Sequence, residues 1–62
     1  MRETEFLSSL IGKKIYIEFE NGDYLIGKMV SYDLNTIFIE TESGKLVLVY
    51  KNWIRIVSPS TE

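Results

Sequence analysis

The sequence predicts a mostly β fold: a short N-terminal α-helix, then a strongly bent five-stranded antiparallel barrel, SH3-like or OB-like. Three observations carry this. Apolar residues recur at helical spacing over about the first twelve positions, and the period then changes to two. Short apolar stretches follow between turn signals at Asn21-Gly22, Asp33-Leu34-Asn35 and residues 42–45. The second stretch is apolar on both faces and holds a glycine in its middle, which suits a curled sheet better than a flat one.

The helix is expected over about residues 4–12. Phe6, Leu7, Leu10 and Ile11 form one apolar stripe. Glu3 and Glu5 suit the positive helix start, Thr4 is a candidate cap, and Gly12 is placed to end it. The barrel is expected over residues 13–58. Ile15, Ile17 and Phe19 alternate with Tyr16, Glu18 and Glu20, a half-buried first strand. Asn21-Gly22 is a strong hairpin signal. The second strand runs over 24–32, with Leu25 and Met29 on one face and Ile26 and Val30 on the other; Gly27 marks a bend or a close backbone approach. The third strand covers 36–41. Residues 46–50 are continuously apolar and read as a strand buried on both sides. Lys51-Asn52 is a tight break, the fifth strand covers 53–57, Pro59 stops it, and 59–62 form a polar tail.

Composition narrows the function. The 62 residues make a single small domain, one that buries only about 60% of its unfolded surface. With no cysteine and no histidine, disulfides, thiolate metal sites and the usual catalytic triads are excluded. Oligomerisation is the remaining way to stabilise so small a core. No phosphate-binding glycine loop is present. Glu18 with Glu20, and Glu40 with Glu42, read as solvated strand faces rather than catalytic pairs. We expect no enzyme, no metal and no cofactor. Seven basic and nine acidic residues, net charge −2, argue against a general polyanion-binding surface. The N-terminus lacks the order of a signal peptide and no apolar run approaches a membrane span, so a cytoplasmic protein with no membrane partner is expected.

Two motifs and the helix carry a family resemblance. Asn21-Gly22, then Gly27, an apolar pair and Tyr32-Asp33 resemble the first motif of the Sm/LSm family. Val49-Tyr50-Lys51-Asn52-Trp53-Ile54, followed by Val57-Ser58-Pro59-Ser60, is similar to the C-terminal motif of the Hfq branch, the bacterial Sm-like RNA chaperones. Phe6-Leu7-x-x-Leu10 resembles the start of the helix in that branch. Together they span about residues 6–60.

The resemblance implies the Sm fold, with the fourth strand of one subunit paired to the fifth strand of the next in a homo-oligomeric ring. A hexamer is preferred and a heptamer is the alternative. It implies single-stranded RNA bound at the pore by Asn35, Tyr50, Lys51 and Asn52, with Asp33 bracing its own turn. Repeating one lysine around a ring makes a positive annulus from an acidic subunit. The bland reading of each asparagine is an ordinary turn residue. Lys13 and Lys14 stand where a basic rim would be.

Departures from the family pattern shape the expectation. Asn35 stands where many relatives carry a stacking ring, and Asn52 stands in place of a histidine. Trp53 replaces a small residue and is expected in the core or at the subunit boundary rather than as a stacking surface. Glu18 occupies the place of a first-strand tyrosine used for A-rich RNA, so U-rich RNA is expected to be preferred over A-rich. A second reading is an Sm-fold oligomeric interaction module with weak or no RNA binding. A third is a monomeric SH3-like barrel that recognises a peptide through exposed Tyr and Trp.

Overall fold

The computed structural model describes residues 3–60, with side chains from Glu5 onward. The expected Thr4 cap, the Glu3 charge and the end of the polar tail therefore lie outside the described residues. The elements are α1 (Glu3–Leu10), β1 (Lys14–Phe19), β2 (Tyr24–Tyr32), β3 (Thr36–Glu40), β4 (Leu46–Tyr50), a 3₁₀ turn (Lys51–Trp53) and β5 (Ile54–Pro59). All strands are antiparallel, in the order β4-β3-β2-β1-β5. No helix among the described residues is long and apolar enough to cross a membrane.

Each turn has a local cause. In the first hairpin the Gly22 N–H donates to the Phe19 carbonyl at 3.0 Å, and Phe19 N–H donates to the Asp23 carbonyl at 2.8 Å. The turn needs a left-handed residue, and Gly22 takes φ 95°. In the long β2, Gly27 is where β3 comes closest. A Cβ there would lie 2.5 Å from Ile39 Cγ2 and 2.9 Å from the Glu40 carbonyl oxygen. Only a residue without a side chain lets β3 approach so closely. A register shift between Met29 and Ser31 adds to the curl.

The core lies inside the curl, under the helix. Leu7 and Leu10 of α1 pack with Ile15, Ile17, Met29, Ile37, Ile39 and Val49. The helix is tied to the sheet through the segment after it. Gly12 N–H donates to the Met29 carbonyl at 2.7 Å, and Met29 N–H donates to the Lys13 carbonyl at 3.0 Å.

Four expectations need correction. The helix ends at Leu10, so Ile11 leaves the apolar stripe and is exposed. Trp53 belongs to the 3₁₀ turn, not to the fifth strand, and it is 63% exposed rather than core. Pro59 closes β5 instead of following it, and Ser60 N–H still donates to the Lys14 carbonyl at 2.9 Å. The largest correction concerns residues 46–50. They are not buried on both sides: Leu46, Leu48 and Tyr50 are exposed, and only Val49 is buried. The reason is the period of the strand: Leu46, Leu48 and Tyr50 share the face turned away from the core, while Val47 and Val49 face inward. No ladder joins β4 to β5, so β4 is also one of the two edges of the curled sheet.

Candidate functional site

Two loops meet beside the β3–β4 end of the sheet. The first is the turn Asp33-Leu34-Asn35 between β2 and β3. Asp33 Oδ1 accepts hydrogen bonds from the Asn35 N–H at 3.0 Å, the Thr36 N–H at 2.9 Å and the Thr36 hydroxyl. Asp33 N–H in turn donates to the Thr36 carbonyl at 2.9 Å. The Thr36 hydroxyl, with the two backbone N–H groups and the nearby Lys51 charge, holds the Asp33 carboxyl below the usual carboxylate range. An aspartate that satisfies three donors in its own turn fixes the loop shape.

The second loop is the 3₁₀ turn that carries the chain from β4 to β5. Thr36 and Tyr50 form the last rung of the β3–β4 ladder. One residue further, the Lys51 N–H donates to the Asn35 carbonyl at 2.8 Å, which bolts the two loops together. The Lys51 ammonium lies 5.7 Å from the centre of the Tyr32 ring, within cation–π range. Its side chain also borders a cavity formed with Phe6, Leu7, Ile37, Ile54 and Val57, so its stem is sheltered. Asn35, Asn52 and Tyr50 are exposed, and Leu34 projects furthest, at 85% exposure.

The structure thus brings Asp33, Asn35, Lys51 and Asn52 onto two adjoining loops, with Tyr50 at the end of β4 beside them. Lys13 and Lys14 are not part of this cluster. They stand at the start of β1, where Lys14 lies opposite Lys28 in the β1–β2 ladder. Lys28 carried no expected role, because its cross-strand pairing is not written in composition. Glu18 is also not isolated. Its carboxylate accepts from the Tyr16 hydroxyl at 2.9 Å and lies 3.7 Å from Arg55 Nε. The hydrogen bond to Glu18, together with burial and its charge, raises the Tyr16 phenol above its ordinary value. Tyr16 stacks on Tyr24 at 5.8 Å, a diagonal contact across the hairpin. The register of the Asn21-Gly22 hairpin was the one signal that could have paired these rings.

A short helix over a strongly bent five-stranded antiparallel sheet, with β4 and β5 as its edges, is an Sm-like fold. Comparison with known proteins sharpens this. No family model matches the sequence, and no curated protein matches it. Among solved structures, the crystal structure of Hfq, described there as a pleiotropic translational regulator, has a TM-score of 0.84. The match covers 90% of this chain and 95% of that one, at 22% sequence identity. The fold is therefore Hfq-like, in a chain whose sequence has diverged far from that neighbour.

Proposed function

We propose that this chain assembles into a homo-oligomeric ring that binds U-rich single-stranded RNA at its pore and acts in the cytoplasm as an RNA chaperone in post-transcriptional regulation. The observation that carries the reading is the 2.8 Å bond from Lys51 N–H to the Asn35 carbonyl. It ties together the two loops to which the sequence motifs assign RNA contact. In a ring, each copy adds one Lys51 to a central annulus, and counter-ion release then favours a phosphate backbone. Asn35 and Asn52 offer donors and acceptors to base edges. The unpaired β4 and β5 edges support assembly, and a hexamer is our preferred size by likeness to Hfq. Rings of this kind bind without catalysis, and no cofactor enters the reading.

Fluorescence anisotropy with short oligo-U and oligo-A tests it. We expect oligo-U to bind more tightly and Lys51→Ala to weaken it about tenfold or more. An intact ring that ignores both oligonucleotides overturns the RNA assignment. A Lys51→Ala ring that binds oligo-U undiminished overturns the choice of site.

One observation favours a second reading, an oligomeric interaction module with weak or no RNA binding. The Lys51 charge is already engaged with the Tyr32 ring and lies near the Asp33 carboxylate, in a chain of net charge −2. The same titration separates the two.

A further inference from the structure

The outer face of the first hairpin carries a charge pattern that neither loop uses. β1 and β2 are interior strands. By register, Lys14, Tyr16 and Glu18 of β1 stand opposite Lys28, Ile26 and Tyr24 of β2. These six share the face turned away from the core, because Ile15 and Ile17 between them are fully buried. One end of the face is basic, its centre is apolar and its other end is acidic. Lys14 and Lys28 are directly opposite, an arrangement of like charges that costs stability unless something negative meets it. Glu40 flanks Lys28 on the β3 side, yet no ion pair among the described residues involves Lys14, Lys28 or Glu40. At the other end Glu18, Glu20 and Asp23 outnumber Arg55, which lies 3.7 Å from Glu18. We propose that this face is self-complementary and docks on the same face of a second copy of the chain, related to it by a two-fold axis.

The occupant follows from the order of the charges. An axis lying across the strands at the Tyr16–Ile26 rung reverses the strand direction and keeps β1 over β1 and β2 over β2. Lys14 of one copy then meets Glu18 of the other, Lys28 meets the Tyr24 ring, and the two Tyr16–Ile26 rungs pack together. Each contact occurs twice, as a two-fold interface requires. Packed sheets stand about 10 Å apart, a gap that lysine stems from one face reach across. Tyr24 is 66% exposed and stacks on Tyr16 at 5.8 Å, so it offers a ring face to an ammonium group. The Glu18 carboxylate accepts from the Tyr16 hydroxyl at 2.9 Å and is held in place for the incoming lysine. A phosphate backbone suits the lysine end and is repelled by the acidic end; a second copy satisfies both. The contact uses neither sheet edge, so it stands apart from ring closure and doubles whatever mass the edges assemble.

Light scattering of the full chain at high concentration, without nucleic acid, tests it. We expect Lys14→Glu and Glu18→Lys each to have half the mass of the parent, and a mixture of the two to recover the full mass. In the mixed pair both Lys–Glu contacts are restored with their signs exchanged. Glu5→Lys makes the same charge change on α1, on the other side of the sheet, and should not replace Glu18→Lys in the mixture. Tyr24→Ala should keep its far-UV circular dichroism, because the side chain is exposed, and should need about tenfold more protein to double. Halving from two chains to one supports the contact and counts against the ring. Parent and variants of one shared mass overturn the proposal; the ring reading stands if that mass is a ring's and falls if it is a monomer's. Recovery with Glu5→Lys as complete as with Glu18→Lys overturns it in favour of unspecific attraction. Doubling that appears only when an oligonucleotide is added overturns it in favour of a bridging nucleic acid.

Discussion

At the residue scale, Asp33 does the most with the least. One carboxylate oxygen accepts from two backbone N–H groups and from the Thr36 hydroxyl, and Thr36 itself is buried. The aspartate in Tyr32-Asp33 thus shapes the loop, and Asn35 presents its carbonyl to Lys51 as a consequence. Because the native carboxyl sits below its ordinary value, the ionised form stabilises the fold. That stabilisation is complete above the unfolded value, near pH 4, and fades as pH falls through the lower native value. Asp33→Asn should therefore flatten the dependence of stability on pH below about pH 4 and leave the rest of the curve parallel to the parent. Denaturant melts from pH 2 to 7 check this. Equal slopes for both proteins in the acid range would show that the carboxylate contributes nothing to the loop.

At the element scale, β2 is the strand that lets its neighbour come close, and Gly27 is where it does so. A methyl group there would meet Ile39 Cγ2 at 2.5 Å and the Glu40 carbonyl oxygen at 2.9 Å. The Ile39 side chain is fully buried and the carbonyl is backbone, so neither yields easily. Gly27→Ala should cost about 1–3 kcal/mol, the usual range for overpacking a filled core. A chemical-denaturation midpoint unchanged by this substitution would mean that β3 does not hold the approach seen here. The same strand shows what the sequence could disclose. The ranges of β2 and β4 were legible because turn residues bracket them. The close approach at Gly27 was legible because glycine interrupts an apolar run. The end of α1 was not, since Ile11 continues the helical spacing although the Gly12 and Lys13 backbone turns away to pair with Met29. The exposure of β4 was hidden for a deeper reason. An apolar strand reads the same whether its cover comes from its own chain or from another copy. Of the site, the two loops were legible through motif spacing. The bond that joins them, the Tyr32 ring under Lys51 and the pairing of Glu18 with Arg55 depend on folding and were not.

At the scale of the whole molecule, the free edges and the small core are one problem. Among the described residues eight buried apolar side chains form the core, while Leu46, Leu48, Tyr50 and Trp53 stay exposed. A lone subunit keeps that apolar surface in water and leaves the outer edge of β4 outside any ladder. If neighbouring copies cover both, folding and assembly are linked, and mass action makes stability depend on concentration. For a hexamer, each tenfold rise in protein concentration would add about 1.2 kcal/mol per subunit, five-sixths of the 1.4 kcal/mol that a factor of ten represents. In a domain of this size 1 kcal/mol moves the thermal midpoint by about 4–8 °C. Melts between about 1 and 100 µM should therefore shift upward by several degrees per decade, and Trp53→Ala should lower the midpoint most where the protein is concentrated enough to assemble. The converse outcome is equally informative. A midpoint independent of concentration, in a protein shown by scattering to dissociate over that range, would mean that the eight-residue core suffices alone. The open side of β4 would then be a surface the fold tolerates, not one that assembly must cover.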